Sequence, residues 1–218
     1  SKSCNLDKIV FGWHPYWSNG LEANYDWSLL SDMSFFSYEV DAATGNALNT
    51  HGWATSSAVT EALANGVRVN LCVTLFSNHG TFFGSSSAQQ TLITNLISLI
   101  QSRGAHGVNI DFEGVSSTYR TEFNNFLIDL SSQMHTAIPG SQVSVCTYAV
   151  DWGDVFDEAA IDPYIDYYTI MGYDYYYSSS SVAGPTSPLY TFNIFNYNLA
   201  RSVNHYLLEG ASKEKIIL

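Results

Sequence analysis

The chain has 218 residues, with eight Lys and Arg against twenty Asp and Glu, for a formal net charge of −12. A surface of that sign is unsuited to tracking nucleic-acid phosphates or to binding anionic membranes, so neither partner is expected. Only 13% of residues are charged while 15% are aromatic, a balance that suits a secreted or cell-surface protein handling uncharged polar ligands such as sugars. The length fits one domain over residues 1–218 that can bury its own core. No segment is long and apolar enough to span a bilayer.

The first apolar run, residues 9–16, is expected as a strand, followed by a stretch (18–32) without a convincing helical pattern. A second strand is expected at 33–40, a helix at 54–65 and a strand at 67–75, the runs being rich in Val, Ile, Phe and Tyr. A helix at 88–103 places Leu92, Leu96, Leu99 and Ile100 on one face. After a strand at 107–113, a helix at 117–137 does the same with Phe123, Phe126, Leu127, Leu130 and Met134. Strands at 143–149 and 165–171, a helix at 197–209 and a strand at 215–218 complete the pattern. Gly66, Gly104 and Gly140 follow helices, where a left-handed terminal residue favours glycine. Alternating strands and helices imply parallel strands joined by crossovers, in an open sheet or a closed barrel. The apolar strand at Leu218 reads as a chain that stops inside its domain.

Three cysteines are too few for a disulfide framework. Cys72 and Cys146 lie in strand-like runs and are expected as buried free thiols, while Cys4 could pair outside the chain. Six histidines show no zinc-ligand spacing, and no phosphate loop or nucleophile elbow occurs, so no metal or cofactor is expected. Asp151, Asp154, Asp157, Glu158, Asp162 and Asp166 are expected to form a solvated helix start rather than a calcium loop.

The most informative segment runs from His106 to Gly114. Strand alternation puts Asn109, Asp111 and Glu113 on one face and Val108, Ile110 and Phe112 on the other. A buried parallel strand should be apolar on both faces. Two carboxylates about 7 Å apart inside a barrel would be desolvated and mutually repelled. Both effects raise a carboxyl pKa and keep a proton available for general acid chemistry. Trp13, Tyr16, Trp17, Tyr148 and Trp152 fall at or just after strand ends. They are equally readable as sugar-stacking platforms or as ordinary packing.

Asn109-Ile110-Asp111-Phe112-Glu113 resembles the strand-four signature of family 18 glycoside hydrolases, usually Asp-Gly-x-Asp-x-Asp-x-Glu. Ile170-Met171-Gly172-Tyr173-Asp174 is similar to that family's strand-six Met-x-Tyr-Asp motif, and residues 9–17 to its aromatic first strand. The resemblance implies a (β/α)8 TIM barrel, C-terminally incomplete in this chain, that leaves room for further modules outside it. It also implies hydrolysis of β-1,4 bonds in N-acetylglucosamine-containing glycans, chitin foremost, with an oligosaccharide or polysaccharide substrate. Under that resemblance Glu113 is the general acid and base, Asp111 orients the substrate's 2-acetamido group, and Tyr173 donates to the acetamido oxygen. Asn109 would support Asp111 by a hydrogen bond; Met171 and Asp174 would shape the subsite, with Trp13, Tyr16 and Tyr148 as further sugar contacts. His106 and Asn109 stand where the signature has Asp, and the Asn form is similar to a branch that includes peptidoglycan-active members. Peptidoglycan is therefore the alternative substrate, and a glycan-binding barrel without catalysis the alternative class.

Overall fold

A computed structural model describes residues 6–218, so Cys4 lies outside the described residues. Strand β1 (Phe11–Pro15) is followed by three short 3-10 turns, consistent with the missing helical pattern there. Then come β2 (Asp32–Val40), β3 (Ala47–Asn49), α1 (Ser57–Ala64), β4 (Arg68–Leu75), α2 (His79–Phe83) and α3 (Ser86–Arg103). The chain continues through β5 (Gly107–Phe112), α4 (Arg120–Ala137), β6 (Gln142–Thr147) and α5 (Glu158–Ile161). It ends with β7 (Tyr167–Ile170), α6 (Leu199–Glu209) and β8 (Ile216–Ile217).

Seven strands form one parallel sheet in the order β1-β2-β4-β5-β6-β7-β8, and β3 adds only a short antiparallel hairpin to β2. The sheet curls strongly. The indole Nε1 of Trp13 on β1 donates across the interior to Asn109 Oδ1 on β5 at 2.9 Å. Among the described residues β1 and β8 each have one neighbour, so the barrel wall is open between them.

The two faces of this wall differ in chemistry. Outward, Val108, Ile110 and Phe112 are fully buried beneath the helices. The Phe112 ring stacks on Phe123 and Phe126 of α4, with centroids 5.7 and 5.8 Å away. Each such ring contributes about 1.5–3 kcal/mol relative to exposure. Inward, Ser34, Cys72, Asn109, Ser144 and Thr169 are also buried, and all are small or polar. Asn109 Nδ2 donates to Ser144 Oγ (2.9 Å) and Thr169 Oγ1 (3.3 Å), so neighbouring strands satisfy one another's polar groups.

The long helices follow the apolar periodicity. In α3 the Ser85 hydroxyl caps the Ala88 N–H, Leu92, Leu96 and Ile100 face the core, and Gly104 ends the helix at φ 61°. Three short elements, β3, α2 and α5, were not expected, being too brief to show a period. The acidic cluster needs a correction. Asp157 caps α5 and Asp151 accepts from the Val155 and Phe156 N–H groups, as in a helix start. Glu158, however, is only 2% exposed, because α5 is pressed against α4 and α6 rather than into solvent. Cys72 and Cys146 are free and buried, as expected.

Candidate active site

In a barrel of this kind the strand C-termini converge on one rim. There β5 delivers Asp111 and, just beyond its last residue, Glu113, whose N–H donates to Leu75 O at 3.2 Å. Both line a cleft of about 650 Å³. After β7 the chain turns tightly: the Gly172 N–H donates to Ile170 O and the Tyr173 N–H to Met171 O, each at 2.8 Å. These successive bonds bring Met171 and Tyr173 into the same cleft. Glycine fits closely at this turn: a Cβ at Gly172 would sit 2.4 Å from the end of the Leu199 side chain, which would have to move aside.

The acids are electrostatically tuned. Asp111 is buried, and its Oδ1 has no hydrogen-bond partner. Desolvation, reinforced by the charge of Glu113 and partly offset by the Cys146 thiol, raises its pKa to about 7. Glu113 is more open to solvent, and partial desolvation raises its pKa as well. The Tyr173 phenol is pushed up to about 12, first by desolvation and then by the charges of Glu113 and Asp111. It therefore stays protonated, as a hydrogen-bond donor, at any pH near neutrality.

Of the residues named from sequence, Asp111, Glu113, Met171, Tyr173, Trp13 and Trp17 meet in the cleft. Asn109 does not line it, being buried on the inner face behind lining residues, and it makes no hydrogen bond to Asp111. Its Oδ1 accepts from Trp13 and from the Cys146 thiol, and its amide donates to Ser144 and Thr169, which uses all its capacity. Tyr148 is also elsewhere: its hydroxyl donates to Phe112 O and accepts from the Val115 N–H, and its ring packs on Phe156. Tyr16 stacks face to face on His51, with centroids 3.6 Å apart. Asp174, at φ 57°, is exposed and does not line the cleft. Sequence reasoning missed Phe36, Phe76 and Cys146 as cleft residues. Phe76 directly follows β4, so the strand-end rule that singled out Trp13 would have found it. Cys146 reads as a buried thiol until the cleft is seen to reach it.

A parallel barrel wall with a strand-end carboxylate pair, facing a tyrosine across an aromatic cleft, belongs to the glycosidase type of α/β barrel. The glycosyl hydrolases family 18 profile matches residues 52–218, a span that includes both motifs, and the chain belongs to that family. A Bacillus subtilis relative named "Putative sporulation-specific glycosylase YdhD" is 31% identical over 108 residues, covering 47% of this chain and 25% of that protein. A Caenorhabditis elegans relative named "Probable endochitinase" is 26% identical over 169 residues, covering 66% of this chain and 27% of that protein. The chain thus spans about a quarter of the length of these curated relatives. Among solved structures, a mutant of the Ostrinia furnacalis group II chitinase catalytic domain 2, in complex with penta-N-acetylchitooctaose, matches with a TM-score of 0.83. That match has 14% identity and covers 96% of this chain and 63% of that one. At such identity the likeness establishes the fold, a TIM barrel of which this chain forms an incomplete turn.

Proposed function

We propose that the protein hydrolyses β-1,4 bonds in N-acetylglucosamine-containing glycans, chitin foremost, by a retaining mechanism in which the substrate supplies the nucleophile. The observation that carries this reading is the pairing of Asp111 and Glu113 on one strand face, with Tyr173 in the same cleft. With a pKa of about 7, Asp111 keeps part of its proton near neutrality, and desolvation shifts Glu113 in the same direction. An acetamido N–H approaching the unpartnered Asp111 Oδ1 favours the ionised form of Asp111, which leaves the proton on Glu113. Glu113 then protonates the glycosidic oxygen as the bond to the anomeric carbon breaks. The acetamido carbonyl oxygen attacks that carbon from the opposite side, giving an oxazolinium ion, the substrate-assisted exception among retaining glycosidases. Tyr173 donates to the same oxygen and holds it in line. Water, deprotonated by Glu113, opens the ion with net retention and restores the acid.

Trp13, Trp17 and Phe76 give the cleft the apolar walls that a pyranose face needs. Such a substrate places the enzyme outside the cell, in keeping with its low content of charged residues. A second reading, peptidoglycan as substrate, is favoured by the relation to a protein named as a sporulation glycosylase and by Asn109 in the signature. Release of reducing ends by the full-length protein, from chitin and from peptidoglycan in parallel, tests both. Faster release from chitin is expected; release from neither would refute the hydrolase reading.

A further inference from the structure

A separate pocket of about 270 Å³ lies on the same rim, between the loop after β6 and the outer side of α6. Its walls include Asp151, Trp152, Tyr197, Arg201 and His205. The first turn of α6 divides it from the cleft, with Leu199 lining the cleft and Arg201 lining the pocket. Trp152 is 76% exposed and lies 4.8 Å from the Tyr197 ring, at 54° to it. Arg201 covers the Tyr197 ring at 4.3 Å and donates to Asn196 O, so it braces the aromatic wall. Asp151 uses Oδ2 to hold the loop, while its buried Oδ1 has no partner.

The pocket's own walls carry Asp151, Arg201 and His205, whereas the segment leading into α6 is uncharged. In a chain of net charge −12, residues 175–200 contain no Asp, Glu, Lys, Arg or His, and Leu189, Tyr190 and Ile194 on this segment are exposed. A neutral, partly apolar surface next to an exposed indole fits an uncharged polymer better than a charged one. The pocket is the size of one sugar ring rather than a peptide segment. An indole face offers stacking to the axial C–H face of a pyranose.

We infer that the Trp152–Tyr197 pocket is an auxiliary binding site for a pyranose unit of the polymeric substrate, separate from the catalytic cleft. This rests on the glycan reading above and extends it to the way a long chain is held. The loop that carries Trp152 is fixed for the task. The Ser202 hydroxyl and the Tyr206 phenol, both on α6, donate to the carbonyls of Ala149 and Tyr148. On this proposal a short oligosaccharide that fills only the cleft stays on the Leu199 side of the first turn of α6.

The test compares binding of full-length protein to insoluble chitin and to a soluble N-acetylglucosamine trimer, in a Glu113→Gln background that prevents turnover. Adding Trp152→Ala should weaken polymer binding about tenfold, the loss of one stacking contact, and leave trimer affinity unchanged. Trp152→Phe should recover most of the loss. In the active enzyme, turnover of the trimer should be unaffected by Trp152→Ala. Equal polymer binding with and without Trp152, with trimer binding intact, would overturn this site alone. So would an equal loss on trimer and polymer, which would place Trp152 in the cleft or the fold. A Glu113→Gln parent that bound neither ligand would overturn both this site and the glycan reading.

Discussion

Glu113 combines two requirements that usually conflict. In the proposed mechanism it must hold a proton near neutrality and stand where a glycosidic oxygen and later a water can reach it. Its position one residue beyond β5 gives access, and partial desolvation raises its pKa. Glu113→Gln keeps the shape and the hydrogen bonding but removes the transferable proton. It should cut kcat by about 10²–10⁴-fold with oligosaccharide binding retained, which steady-state kinetics and calorimetry together would show. Activity within threefold of the parent would remove Glu113 from its role. Strand alternation alone made Asp111 and Glu113 legible, because a period of two predicts which side chains share a face. Tyr173 became legible through the motif around it. The partners of Asn109 were not legible. Cys146, Ser144 and Thr169 reach its amide through the pairing of β5, β6 and β7, and the curl of the sheet brings Trp13 to it from β1. Tyr148 was misplaced for a related reason: a strand-end tyrosine can turn either way, and here two backbone groups capture its hydroxyl.

Helices α3, α4 and α6 were legible because each is long enough to repeat its apolar stripe, whereas α5 has four residues and no stripe. That short helix buries an acid, Glu158. Desolvation raises its pKa to about 7, the charges of Asp151 and Glu209 add to the rise, and Arg120 opposes it. The native state therefore favours protonated Glu158 more than the unfolded chain does. Its contribution to stability is fully present below the ordinary carboxyl range and is lost as pH rises through about 7. The shift corresponds to about 3 kcal/mol. Glu158→Gln cannot ionise and should raise Tm relative to the parent at pH 8, with the difference vanishing near pH 4. Thermal melts across that range decide it, and a difference independent of pH would mean that Glu158 ionises freely in the fold.

At the level of the whole molecule, the barrel wall separates two environments. Its outer face is sealed by aromatic and aliphatic packing against the helices, and its inner face is polar and leads up to the reacting groups. Alternation of strands and helices was enough to predict a parallel sheet. The family motifs, not the periodicity, selected a barrel over an open sheet, because curl depends on contacts between strands far apart in sequence. The cleft draws on β1, β5, β7 and β8 at once, so its aromatic walls exist only in the curled sheet. In the proposed mechanism this cleft uses the substrate's own acetamido group as nucleophile, with Asp111 and Tyr173 orienting it. The most direct measurement is the hydrolysis rate of an N-acetylglucosamine oligomer against a glucose oligomer of the same length and β-1,4 linkage, using the full-length protein. Cleavage of the acetamido oligomer alone, with the anomeric configuration of the first product retained, is the predicted result. Hydrolysis of the glucose oligomer at a comparable rate would contradict it.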